Sequence, residues 1–411
     1  MLPLLILAPA GRAQEKVPPR EWIDPDTGHR VVRLSDEDGS QSLYFHQNAY
    51  TPDGSTLVIT TPTGLTAIDL KTHALSRIVS EHVNLIMVGR KTGQAYYVKA
   101  AEIFAVDVKT KTVRKIGTLP ARGSIASVNA DETLLAGTVT EGTPPMAARG
   151  QGDNYPGKGD MMERRLAARI PMQLFTLNVK SGETRTILRS TDWINHVQFS
   201  PADPGLLMFC HEGPWHKVDR TWTIRTDGTG LTQIHRRTMN MEIEGHEFFS
   251  PDGRTIWYDL QTPRSEVFWL AGYEIATGTR TWYHVQRSEW SVHFNESPDG
   301  RLFAGDGGGP SSVAAPDNGQ WIYLFHPELT RDRTDGQLPN AGALIQPGVL
   351  RAEKLVNLAR HNYRLEPNVT FTPDGQWIVF RSNLFGPTHV FAVEVAASQR
   401  RPSQRRPSQS Q

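Results

Sequence analysis

The 411-residue chain has one cysteine, Cys210, so no intrachain disulfide can brace it. It also lacks an excess of charge of either sign: 44 Lys and Arg face 43 Asp and Glu, a net charge of +1. That balance excludes the basic footprint of a nucleic-acid binder or of a protein that coats anionic membranes. The apolar run Leu2–Ala10 is too short to cross a bilayer. No Gly-x-Ser-x-Gly elbow is present, which argues against a propeller carrying a serine hydrolase. The glycine-rich stretch Gly305-Asp306-Gly307-Gly308-Gly309-Pro310 precedes no helix-forming run, so it reads as a loop rather than a phosphate cradle. What the chain has in quantity is Gly (35), Pro (28) and Trp (10), with 38% apolar residues. Long helical bundles want neither Gly nor Pro, so this composition points to turns, short strands and a full core.

The ends read differently from the middle. Leu2–Ala10 followed by Gly11-Arg12-Ala13-Gln14 has the apolar core and small-residue end of a secretory signal peptide. Residues 1–13 are therefore expected to be cleaved near Ala13, giving a periplasmic or secreted protein. The basic start of such peptides is absent, which keeps a cytoplasmic chain as the alternative. Residues 398–411 repeat Arg-Arg-Pro-Ser-Gln without apolar side chains and are expected to be a disordered tail. Residues 20–397 form the folded domain on this reading.

A turn recurs through that domain. Thr51-Pro52-Asp53-Gly54, Ser250-Pro251-Asp252-Gly253, Ser297-Pro298-Asp299-Gly300 and Thr372-Pro373-Asp374-Gly375 share one pattern. Pro presets φ, Asp bonds the local backbone and Gly supplies positive φ. Ser200-Pro201-Ala202-Asp203 and Asn129-Ala130-Asp131-Glu132 are degenerate copies, and Arg90-Lys91-Thr92-Gly93 falls where another is due. Apolar strands follow, as in Thr56–Ile59, Thr255–Tyr258 and Trp377–Phe380. A second turn often comes next, ending at Gly182 or Gly278. Markers at 51, 90, 129, 200, 250, 297 and 372 predict an all-β fold, a seven-bladed β-propeller. Insertions are expected around Glu141–Pro171, with a short helix at Met161–Arg169, and around Gly305–Arg351.

Polar residues gather at one register. Four positions before each turn's Ser or Thr stand Gln47, His196, His246, His293 and Asn368, with Glu244 and Glu366 two residues further back. In a propeller the strand before the turn is innermost, and a strand period of two puts both registers on the channel face. Three histidines with a carboxylate at one mouth suit a borderline divalent ion such as Mn²⁺. The bland alternative is side chains wetted by channel water. A second cluster, His211-Glu212-Gly213-Pro214-Trp215-His216-Lys217-Val218-Asp219-Arg220-Thr221-Trp222, sets aromatic faces beside an Arg fork, as a sugar-acid site requires.

Taken with Gly245-His246-Glu247-Phe248-Phe249-Ser250-Pro251-Asp252-Gly253 and His293-Phe294-Asn295-Glu296-Ser297, this segment resembles oligogalacturonate lyase, polysaccharide lyase family 22. The likeness runs from about Trp22 to Val395. It implies a seven-bladed propeller that cleaves short pectin fragments, digalacturonate and its unsaturated form, by Mn²⁺-assisted β-elimination. It implies His246 as general base, Arg220 on the substrate carboxylate, and His293 as a metal ligand. His196, His211, Trp215 and His216 are the candidate substrate-binding residues. In the last blade the family's two ligand histidines fall on Glu366 and Asn368, and the family glutamine has no clean match, with Tyr363 in register and His361 nearby. A metal set of His293, Glu366, Asn368 and His361 is harder than the family's and also suits Ca²⁺ or another divalent ion. Two other readings stand beside this one. One is a lyase for a different uronate, such as a rhamnogalacturonan or ulvan fragment. The other is a non-catalytic periplasmic propeller, a binding or scaffold module. The expected partner is a small oligosaccharide, with no nucleic acid and no membrane.

Overall fold

Each Pro-Asp-Gly segment folds as its chemistry dictates. The glycines Gly54, Gly253, Gly300 and Gly375 have φ between +68° and +72°, a left-handed backbone that costs glycine nothing. The preceding hydroxyl closes the turn on its aspartate: Ser250 donates to Asp252 at 2.7 Å, Ser297 to Asp299 at 2.7 Å and Thr372 to Asp374 at 2.6 Å. The degenerate copies turn as well. Gly93 has φ +72°, and Glu132 adopts φ +59° without being glycine. The expected strands after these turns are observed as Thr56–Thr61, Thr255–Gln261 and Trp377–Ser382.

These segments come from a computed structural model that describes residues 18–143, 155–310, 312, 320–330, 338 and 340–397. The expected signal peptide and tail lie outside the described residues. Among the described residues the strands form six sheets, nearly all antiparallel. One has eight strands in two runs of four, joined where Arg280–Val285 pairs in parallel with Gln346–Asn357. The first and last strands of the described residues share a sheet: Arg30–Arg33 pairs with His389–Glu394, Val31 opposite Val393. The first strands thus close the last sheet. Apolar side chains fill the space between neighbouring sheets. Phe45, Phe248, Phe294, Phe303 and Phe325 are each at most 2% exposed in one such cluster, and each contributes about 1.5–3 kcal/mol by burial.

The segment around Gly305–Arg351 is not an insertion as expected. It supplies two long paired strands, Trp321–Leu329 and Gln346–Asn357, to the eight-stranded sheet. Within Glu141–Pro171 the helix is present and longer than expected, Tyr155–Ala168. Met162 anchors it at 1% exposure, and Glu163 pairs with Lys217 at 2.7 Å. The helix therefore docks on the 211–222 segment. A channel of about 260 Å³ is lined by Pro201, Pro251, Pro298 and Pro373 from the turns and by Phe45 and His46.

Candidate active site

At the opposite ends of the same innermost strands, the backbone departs from strand geometry in one repeated way. His196, His246 and Asn368 have φ of +46°, +47° and +55°. That conformation costs a non-glycine residue roughly 1–2 kcal/mol, so packing must hold it. Pairing slips at the same points, between Asn195 and Gln198 and between Gly245 and Phe248. Such a bulge re-aims a side chain and breaks the period of two. Glu244, expected on the face of His246, sits instead beside His235 and Thr221, and burial pushes its carboxyl up to about 7. Its neighbour across the bulge, Glu247, turns to Arg220.

Two histidines are each held by an aspartate. His246 Nδ1 meets Asp259 Oδ1 at 2.7 Å, and His293 Nδ1 meets Asp306 Oδ2 at 2.8 Å. This fixes both rings with Nε2 pointing away from the aspartate. Burial lowers the affinity of His246 for a proton, but Asp259 outweighs it and holds the pKa above the ordinary histidine value. The ring centroids of His246 and His293 are 4.9 Å apart. His293 Nε2 lies 3.1 Å from the Tyr44 hydroxyl and 3.7 Å from Glu366 Oε2. Gly245 is required by this arrangement, because a Cβ there would come within 2.9 Å of Asp259 Oδ1.

Arg220 forms the other wall. It is 3% exposed and donates from Nε to Glu247 Oε2 at 2.9 Å and from Nη1 to Glu212 Oε1 at 3.0 Å. Burial works against its charge, while the surrounding acids hold its pKa well above the ordinary value. Burial raises Glu247, but Arg220 and His196 outweigh it and keep this carboxylate ionised. His196 Nε2 approaches Glu212 Oε2 at 3.4 Å. His196, Cys210 and Glu212 could together hold a metal ion. Their chemistry argues against it: Glu212 already carries Arg220, and burial pushes the Cys210 thiol well above its ordinary pKa.

The last sheet offers a better donor set. Asn368 is fully buried, and its Oδ1 has no partner. Its backbone N–H donates to Asp306 Oδ2 at 3.1 Å, the oxygen that also holds His293. His293 Nε2 and Glu366 Oε2, 3.7 Å apart, and the orphaned Asn368 oxygen are donors of the kind that suit a divalent cation. They give it one nitrogen and two oxygens, a hard set. His361 is not brought to them. Its Nδ1 meets Ser382 Oγ at 2.8 Å and its Nε2 donates to the Leu365 carbonyl at 2.6 Å, so Nε2 carries the proton and has no lone pair for a metal.

The 211–222 segment contributes Arg220 and Glu212 to the cluster, while its other polar residues point elsewhere. His211 packs edge-on to Phe209 and tilted against Trp222, on the face of its strand opposite Glu212. Burial lowers its pKa. His216 lies at the rim beside Lys217 and Glu163, and the Trp215 carbonyl accepts from Arg237. The residues not singled out from sequence are Asp259, Asp306, Tyr44 and His46. A signal for the first two exists, since each aspartate lies 13 positions after its histidine in consecutive repeats. Asp306 sits in the loop that reads as a weak glycine-rich motif. His46 is held neutral, its pKa lowered to about 3 by burial and by nearby His196.

The family model described as oligogalacturonate lyase matches residues 16–399. The oligogalacturonate lyase of Dickeya dadantii (strain 3937) is 25% identical over 409 residues, covering 92% of this chain and 96% of that one. Among solved structures, an oligogalacturonate lyase in complex with manganese superposes with a TM-score of 0.74 at 22% identity, covering 92% of this chain and 96% of that one. The β-propeller domain of Cps50 (Swd1) from Myceliophteria thermophila matches with a TM-score of 0.51 at 9% identity, covering 85% and 96%. The architecture is thus a β-propeller, and the chain belongs to the oligogalacturonate lyase family.

Proposed function

We propose that this enzyme cleaves digalacturonate and related short oligogalacturonides by β-elimination at the mouth where His246, His293 and Arg220 converge. The observation that carries the reading is the His246–Asp259 pair, 2.7 Å apart. It presents an oriented Nε2 to the channel mouth. A proton α to a carboxylate is poorly acidic, because its removal adds charge beside an existing anion. Neutralising that carboxylate is the main task, and oriented positive charge performs it.

His246 Nε2 takes the C5 proton in its neutral form. The C5–H electrons form the C4–C5 double bond and the C4–O bond breaks. The leaving oxygen gains a proton from water, and no water adds across the bond. Arg220 supports the substrate carboxylate with the N–H groups that Glu212 and Glu247 leave over. His196 lines the same wall. His293, Glu366 and Asn368 would hold the divalent ion, Mn²⁺ in this reading and Ca²⁺ as the alternative suited to an oxygen-rich set. When bound, such an ion supplies Lewis-acid neutralisation of the carboxylate. The domain spans 20–397, its six sheets count as seven blades when the eight-stranded one is taken as two, and the chain acts in the periplasm or outside the cell.

The test is ultraviolet absorbance during incubation with digalacturonate and trigalacturonate. The proposal expects a rising band from the conjugated unsaturated uronate, abolished by a chelator and restored by Mn²⁺. Cleavage without that band would mean hydrolysis and would overturn it.

A further inference from the structure

Resting on that reading, we propose that Arg165, on the helix Tyr155–Ala168, binds the second carboxylate of the substrate, the one on the sugar that does not lose a proton. Every uronate in an oligogalacturonide carries its own carboxylate. Arg220, bound by Glu212 and Glu247, has few donors left for more than one of them. A second cation is needed nearby, and it must be uncommitted.

Arg165 meets that description. Its guanidinium lies over the Trp193 ring, 3.9 Å from the centroid. Its one hydrogen bond is a weak contact from Nη2 to the Met172 sulfur at 3.6 Å, and its buried Nε has no partner. Trp193 opens the innermost strand Trp193–Phe199 that carries His196, and it pairs across the hairpin with Glu212. Arg165 therefore stands over the strand pair that builds the Arg220 wall. Burial lowers its pKa, and Glu212 is the one acid that offsets this. Two other described arginines are spent: Arg237 donates to three carbonyls, and Arg381 to the Glu366 carbonyl and to Gln41. The helix is pinned to the site by Glu163–Lys217 and Arg169–Asp192. An arginine stacked on an aromatic face is pre-organised to fork a carboxylate, and the exposed part of Trp193 offers a sugar ring a flat neighbour.

The test compares digalacturonate with its methyl ester at the non-reacting sugar, using wild type, Arg165→Gln and Arg165→Lys. In wild type the ester should raise KM by about tenfold, the loss of one charge-assisted contact. Arg165→Gln should raise KM for the free acid by a similar factor, leave kcat unchanged, and no longer distinguish acid from ester. Arg165→Lys should restore part of the discrimination. A variant that unfolds through loss of the Trp193 contact would be exposed by its melting temperature, and Arg165→Lys, which keeps a cation over that ring, then carries the comparison. Equal acid-to-ester ratios in wild type and Arg165→Gln would overturn the assignment while leaving the functional reading intact. Failure of wild type to bind digalacturonate by calorimetry or to cleave it would sink both.

Discussion

Aspartate does two different jobs at the two ends of the innermost strands. At the turn end, Asp252, Asp299 and Asp374 accept from a hydroxyl two residues earlier, at 2.6–2.7 Å, and from backbone N–H groups of the same turn. Most of their hydrogen-bonding capacity is consumed locally, in shaping a hairpin. At the other end, Asp259 and Asp306 reach across the hairpin to His246 and His293. They sit 4% and 0% exposed, against 59% and 60% for Asp252 and Asp299. The lesson is that a repeat encodes its scaffold in contacts a few residues apart, and its chemistry in contacts between strands. The glutamates divide likewise. Glu247 and Glu212 hold Arg220 at one end. Glu296 lines the channel toward the turns, where burial pushes its carboxyl up to about 8 despite the Trp257 indole at 3.0 Å.

Five substitutions would break or sharpen this contrast. The largest effect belongs to His246→Ala. Turnover of digalacturonate should fall by roughly 10²–10⁴-fold, the range for losing a positioned base, with the melting temperature little changed. Turnover within a factor of two of wild type would remove His246 as the base. Next comes the direct comparison of the two aspartate classes. Asp259→Asn should cut kcat by about 10²-fold or more, because the asparagine side chain no longer fixes the tautomer. Asp252→Asn should cost about 1 kcal/mol of stability and leave kcat alone. Urea melts and initial rates on both variants suffice, and equal kinetic losses would erase the distinction.

A smaller effect is expected at the cation set. Asn368→Ala should weaken binding of Mn²⁺ about 10- to 100-fold by calorimetry. Unchanged affinity would place the ion elsewhere, with His196, Cys210 and Glu212 the next group to mutate. Least effect on turnover is expected from Glu296→Gln, which instead reports on pH. A carboxyl with folded pKa near 8 and an ordinary unfolded value of 4.5 binds its proton more tightly in the fold. Its contribution is fully present below 4.5 and is lost as pH rises through 8. Glutamine mimics the neutral acid, so the variant should melt higher than wild type at pH 9 and similarly at pH 4. A wild-type advantage at pH 9 would show that the carboxylate is ionised and welcome in the channel.

The same division explains what was legible in the sequence. The Pro-Asp-Gly turns and the strands after them are local, so reading four residues at a time recovers them. The histidine register is legible because the repeat aligns it. Asp259 and Asp306 are not, since their role appears only when the second strand of each hairpin is laid against the first, in the case of Asp259 through a bulge no turn signal announces. That bulge also displaces Glu244, which a strict alternation places beside His246. His361 looks available in sequence, yet Ser382 and the Leu365 carbonyl engage both its nitrogens. His211 fails for a related reason, as strand alternation turns it to Trp222 and leaves Glu212 facing the cluster. Burial and cross-strand partners decide these cases, and neither is carried by spacing.

The central claim is elimination at the His246 mouth. Its most direct test is the mass of the products formed from digalacturonate in water enriched in ¹⁸O, read at the earliest turnover. The account predicts two products whose masses sum to that of the substrate, with no ¹⁸O incorporated by cleavage. Products together heavier by one molecule of labelled water would contradict it.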